Sequence, residues 1–385
     1  MQTRLYAKED RSVTRSERVD PVFLGLTLLL LAVGLTMLYS ASAAQSLYDT
    51  GNRTSAHYLG RQALCALLGL GAMVGLSRLD PDIWYRLAWP VYGISIVLLL
   101  AVLVFGQTVN GATRWINIAG IRFQPSEVAK FAMILLFARL TRSFGPRTAQ
   151  FRYGVLGFGG ALLGILVPLA LERHLSAILL MGMVAVVMMF IAGTDMKWLL
   201  AGALAAVIFV IVYVSLLGYA GDRITAWFHP EEDPGNTGYQ ILQSLYAIGS
   251  GGVFGMGWGR SRQKFMYLPF QYNDYIFAIV CEELGLVGAV LIALLFAALI
   301  LRGYWIALQA RDRFSTVLCA GLVTLIAIQT ILNFGVVTNL LPSTGVALPF
   351  FSYGGTALAV NLGEMGIVLG ISRQRGQAKR QEDVL

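Results

Sequence analysis

Few points along the chain bring acids and bases together, and they decide what chemistry is open to it. Asp274 follows a basic cluster, Arg260, Arg262 and Lys264, and an aromatic turn of Phe265, Tyr267, Pro269, Phe270 and Tyr272; an apolar segment begins directly behind it. A partly buried carboxylate can serve as a general base, worth about 10²–10⁴ in rate, and nearby Arg or Lys can hold an anionic leaving group. Asn273-Asp274 is also an ordinary helix opening, and on propensity alone capping is its more common role. Glu127 and Lys130 stand at i and i+3 in QPSEVAKF, either as an ion pair on one helix face or as ligand contacts. Pro125 and Ser126 ahead of them suit the opening and cap of a helix. Arg114 and Trp115 share the preceding NGATRWI, where a Trp ordinarily anchors at a membrane interface. Glu282, Glu283 and Glu364 lie inside apolar runs, where a charge costs about 2.5–3.5 kcal/mol and generally faces a cavity or a partner.

The elements that must position these groups belong to a membrane. The chain is 57% hydrophobic and 13% charged, against about 45–50% and about 25% for soluble domains. Its net charge of +8 sits in blocks beside apolar spans, a pattern that serves topology and contact with anionic lipid rather than nucleic acid. Cys65, Cys281 and Cys319 all lie in apolar runs without CxxC spacing, and His57, His174 and His229 are scattered singly. Neither a disulfide framework nor a protein-bound metal is indicated.

Apolar runs long enough for a ~30 Å hydrocarbon core predict an all-α, polytopic protein of about ten transmembrane helices. They fall near 21–44, 58–76, 84–105, 123–140, 153–171, 175–192, 197–217, 274–301, 314–337 and 349–371. The first run is too long for a signal-peptide core of ~7–15 residues and reads as a retained span. Residues 1–20 and 373–385 are polar tails flanking a membrane domain over 21–372. Excess Lys and Arg in alternate segments places both termini in the cytoplasm and the long loop 218–272 outside the cell membrane. Within that loop, residues 241–259 have apolar spacing suited to an amphipathic or re-entrant helix, and their glycines suit turns and close packing rather than a nucleotide loop.

Several of these segments together are similar to the SEDS family (shape, elongation, division and sporulation), to its FtsW and SpoVE branch more than to RodA. The resemblance is carried by GATRWI (111–116), QPSEVAKF (124–131), GYQ (238–240), QSLYAIGSGGVFGMGWGRSRQKFMYLP (243–269), DYIFAIVCEELG (274–285) and PSTGVALPFFSYGGT (342–356), and spans about residues 20–372. It implies a peptidoglycan glycosyltransferase that polymerises lipid II into glycan strands on the outer face, in division or sporulation, with a class B penicillin-binding protein as transpeptidase partner. It also implies that Asp274 is the essential acidic residue and that Trp115, Glu127 and Lys130 are functional positions.

Two departures stand out: Leu268-Pro269-Phe270 and Asn273-Asp274 where the family commonly has Leu-Pro-Glu and Thr-Asp, and Glu172-Arg173-His174 where many members have an acidic residue or Gln and then Pro-Asp. On this resemblance Asp274 would deprotonate the acceptor hydroxyl, and Arg114, Arg122, Arg260, Arg262 and Lys264 would face the departing lipid diphosphate or form a solvated rim. No cofactor is expected to bind tightly, although a divalent cation, Mg or Mn, could accompany the diphosphate. A carrier moving lipid II across the membrane through Glu127, Lys130, Glu282 and Glu283, and a non-catalytic division scaffold, are the competing readings.

Overall fold

A computed structural model describes residues 19–109, 112–118, 121–202, 204, 226–232 and 237–374, with the side chains of 107–109, 112, 118, 121 and 122 excluded. The helices are α1 (Pro21–Asp49), α2 (His57–Leu76), α3 (Pro81–Phe105), α4 (Pro125–Phe144), α5 (Phe158–Leu171), α6 (Leu175–Ile191), α7 (Thr237–Gly251), α8 (Ile276–Leu308), α9 (Arg313–Val337) and α10 (Gly355–Ser372). The run expected at 197–217 lies largely outside the described residues, as does the side chain of Arg122. α4 and α6 match two further expected spans, and α1, α2, α3, residues 151–171, α8, α9 and α10 are each long and apolar enough to cross a membrane. The chain is a multi-pass membrane protein.

The bundle is arranged around α9, whose apolar window is 83% buried, whereas that of α2 is 22% buried. Leu64, Leu67 and Leu68 on α2 and Val97, Leu100 and Val104 on α3 point outward, as lipid-facing residues do. One end of the bundle is tied by ion pairs. Arg302 binds Asp20 at 2.8 Å, and Arg142 reaches Asp82 and Asp312 at 3.4 and 3.5 Å. Asp20 also caps α1 by accepting from the Phe23 amide, while its own amide donates to Ser372 Oγ.

At the opposite end the segment after α3 folds into a small antiparallel sheet, β1 (Gln107–Val109), β2 (Ala112–Ile118) and β3 (Ile121–Phe123), in the order β1-β2-β3. Thr108 pairs with Thr113, and Ile116 with Phe123. This stretch reads as plain loop in the apolar-run count, and Phe123 belongs to a strand rather than to the helix that follows. α4 opens with Pro125 at its first position as expected, but its N-cap is Gln124, and Ser126 is buried in the first turn.

α8 is broken. Gly285 has φ +67° and ψ −169°, a conformation that glycine alone adopts easily, and it separates a short piece next to Asp274 from a long one. A helix interrupted at membrane depth must find other partners for its freed backbone groups. They come from the segment after α7. The amides of Met256 and Gly257 donate to the carbonyls of Glu282 and Glu283 at 2.9 and 3.0 Å, and the amides of Leu286 and Val287 donate to Gly252 and Val253 at 2.9 and 3.1 Å. A methyl on Gly251 or Gly255 would collide with the backbone of 281–285. The loop glycines therefore serve turns and close packing, and α7 presents Ile241, Ser244 and Ala247 inward at helical spacing.

Candidate active site

Asp274 lies two residues ahead of α8, whose N-cap is Tyr275, so the expected capping position falls elsewhere. Its placement comes from its neighbours. Asn333 on α9 donates from Nδ2 to the carbonyls of Asp274 and Val346 at 2.7 and 2.9 Å. Ser352 Oγ donates to the Asn273 carbonyl at 2.6 Å and accepts from the Leu348 amide at 2.8 Å. The Tyr353 amide donates to Tyr272, and Gln62 on α2 joins both the Ser352 carbonyl and the Gly354 amide. These bonds hold 339–354 as irregular backbone, which is why α10 starts at Gly355 and not near Pro349. Gly345, with φ +69°, brings its backbone so close that a methyl there would sit 3.2 Å from Asp274 Oδ2.

The result is a cavity of about 580 Å³ at the end of the bundle away from Asp20 and Arg302. Asp274 shares it with Arg114, Trp115, Glu127 and Lys130, residues drawn from β2, α4 and the approach to α8. Glu127 and Lys130 form an ion pair of 2.7 Å, so the pairing and the cavity position coincide. Arg114 Nη2 donates to the Arg173 carbonyl at 2.8 Å, tying the sheet to the turn between α5 and α6. That turn adds His174 to the cavity wall, a histidine that stands singly in the sequence, within the departure from the family pattern at 172–174. Burial, then the cations Arg114 and Lys130, hold its imidazole well below the usual range. Glu172, also buried, is pushed up to about 8 by burial, with Arg114 opposing the shift.

The basic cluster does not join this cavity. Lys264 turns inward, 3.1 Å from Glu283 Oε1, and also donates to Ser40 Oγ and the Gly259 carbonyl. Ser40 donates to both oxygens of Glu283 at 2.7 and 2.8 Å. Glu282 accepts from Ser261 Oγ and from the amides of Arg262 and Gln263. Two buried carboxylates demand donors, and the loop supplies them, which draws Lys264 away from any ligand. The Arg262 side chain lines a separate shallow depression with Phe265 and Tyr267, and Arg260 is exposed. Glu364 on α10 is buried with neither carboxylate oxygen hydrogen-bonded.

Two carboxylates, two cations and an aromatic side chain thus line one cavity of a multi-pass membrane bundle. The chain belongs to the FtsW/RodA/SpoVE family of cell cycle proteins, which matches residues 21–377. It is 42% identical over 317 residues to a probable peptidoglycan glycosyltransferase FtsW of Geobacter metallireducens, covering 81% of this chain and 84% of that protein. It is 39% identical over 309 residues to stage V sporulation protein E of Bacillus subtilis, covering 79% and 84%. Among solved structures, a chain of a peptidoglycan synthase complex, described for its coordination of polymerization and crosslinking, superposes with a TM-score of 0.79 at 28% identity, covering 94% of this chain and 99% of that one. The rod shape determining protein RodA of Thermus thermophilus gives 0.69 at 27% identity, with the same coverage.

Proposed function

We propose that the chain is a peptidoglycan glycosyltransferase that polymerises lipid II at the outer face of the cytoplasmic membrane during cell division or sporulation, with Asp274 as general base. The observation that carries this reading is the shared cavity, in which Asp274 meets Arg114 and Lys130. The carboxylate removes the proton of the acceptor hydroxyl, and the two cations stabilise the departing lipid diphosphate. Glu127 orients Lys130 through their ion pair, and Trp115 offers an apolar face to a sugar or to the first isoprene unit.

On this reading a divalent cation, Mg or Mn, enters with the diphosphate. Among the described residues no three His, Cys, Asp or Glu side chains gather to hold an ion, and Glu127 is already engaged by Lys130, so the chain's own neutralisation falls to Arg114 and Lys130. The end of the bundle bearing Asp20, Arg142 and Arg302 is then cytoplasmic, with both termini, and the cavity opens outward. The likeness to a chain of a peptidoglycan synthase complex supports a class B penicillin-binding protein as the crosslinking partner.

The test is polymerisation of lipid II by the purified protein, alone and with its cognate transpeptidase, resolved as glycan strands on a gel. Wild type yields strands and a folded Asp274→Asn variant does not. Undiminished product from that variant removes Asp274 as the base. Lipid movement across vesicles without any polymer favours a carrier instead.

A further inference from the structure

His174 has no role in the mechanism above, yet its side chain lines the same cavity. The residue is 7% exposed, and its Nδ1 has no hydrogen-bond partner. A buried polar atom left without a partner is costly, and one that lines a cavity is placed to bond what enters it. The turn that carries it is held by Arg114, whose guanidinium bonds the neighbouring Arg173 carbonyl. The charged groups around the imidazole are Arg114 from β2, Lys130 and its partner Glu127 from α4, and Glu172 from the same turn. Gln329 from α9 and Asp274 line the same cavity.

Burial and the two cations keep the ring neutral while the cavity holds no anion. A diphosphate set against Arg114 and Lys130 would offset their charge and add negative charge beside the ring, which favours the protonated imidazole. A neutral imidazole has one donor and one acceptor nitrogen, whereas its protonated form has two donors, a better match to phosphate oxygens.

The geometry points to His174 as a further ligand of the diphosphate, one that accepts a proton from solvent as the anion enters and returns it when the lipid diphosphate product leaves. This rests on the reading that the cavity takes lipid diphosphates. The only bond change is a proton transfer: an imidazole N–H forms as a buffer acid gives up its proton on binding, and the transfer reverses on release.

Isothermal titration calorimetry of the full-length protein in detergent, with farnesyl diphosphate as probe, tests it. Titrations in Pipes and in Tris at the same pH report the protons exchanged, since the two buffers differ in ionisation enthalpy. Wild type is expected to take up about one proton per ligand, and its affinity to fall by up to about tenfold per pH unit as the pH rises above neutrality. A His174→Gln variant, and His174→Asn should the first not fold, is expected to bind more weakly, without proton uptake and with a flatter pH profile. Binding by wild type without uptake, or equal uptake in the variant, overturns the assignment of His174 alone. Failure of farnesyl diphosphate to bind wild type overturns both this assignment and the diphosphate reading of the cavity. Inorganic pyrophosphate in a parallel titration shows whether the phosphates suffice or the lipid tail is needed; uptake with either probe supports the assignment.

Discussion

Asn333 reaches across from α9 and donates its side-chain amide to the carbonyl of Asp274 at 2.7 Å. The same amide holds the Val346 carbonyl, so one residue on the most buried helix fixes both walls beside the proposed base. Replacing it with Leu keeps the volume and deletes both bonds. A displacement of about 1 Å at a reacting group can cost roughly 10²-fold in rate. Asn333→Leu is therefore expected to fold and bind donor lipid while its polymerisation rate falls roughly tenfold to a hundredfold. Wild-type rates at saturating lipid II would show that Asp274 is placed by other contacts.

Gly345 offers a separate probe of the same carboxylate. Its φ of +69° is unfavourable for any residue with a side chain, and the added methyl would stand 3.2 Å from Asp274 Oδ2. Gly345→Ala is expected to lose about 1–2 kcal/mol of stability from the backbone alone and to lose activity beyond that by crowding the base. Thermal melts paired with the strand-forming assay separate the two effects. Loss of stability with intact activity would mean that the carboxylate turns freely.

The basic cluster shows where sequence and structure part. Arg260, Arg262 and Lys264 are alike as a string, but Lys264 is buried against Glu283 while Arg260 is exposed. Removing one partner of a buried pair strands the other charge and costs about 3–5 kcal/mol. Lys264→Met is expected to lower the melting temperature sharply, whereas Arg260→Ala leaves it within error. The converse result would place the charge pair in solvent and return Lys264 to the list of ligand contacts.

Why the helices were legible and the site only partly so follows from the range of the interactions. Each span announces itself by a local apolar run, and the acid at 274 by its junction with one. The sheet is marked locally as well: Asn110-Gly111 lies between β1 and β2 in the sequence, and that dipeptide is the strongest short hairpin mark. His174 had none. It reaches the cavity because β2 grips the α5–α6 turn through Arg114, a contact 59 residues apart in sequence. The break in α8 is similar, since Gly285 looks like any small residue in a span until the segment after α7 supplies its partners.

Glu172 links the cavity wall to pH. Its carboxyl is buried and is held at about 8, well above its ordinary value of 4.5, with burial the larger cause and Arg114 pulling the other way. The folded state therefore binds this proton more tightly than the unfolded chain does. Stability from this group is fully present below the unfolded value and is lost as the pH rises toward and through the folded one. Melting temperature in detergent is expected to decline between about pH 4.5 and pH 8 by an increment that a Glu172→Gln variant lacks. Arg114→Gln removes the one opposing charge, so its decline should extend to higher pH than that of wild type at a similar slope. Parallel melting curves for wild type and Glu172→Gln across that range would mean that the carboxyl is solvated or paired, and that the turn carrying His174 is not closed against Arg114 as the structure shows.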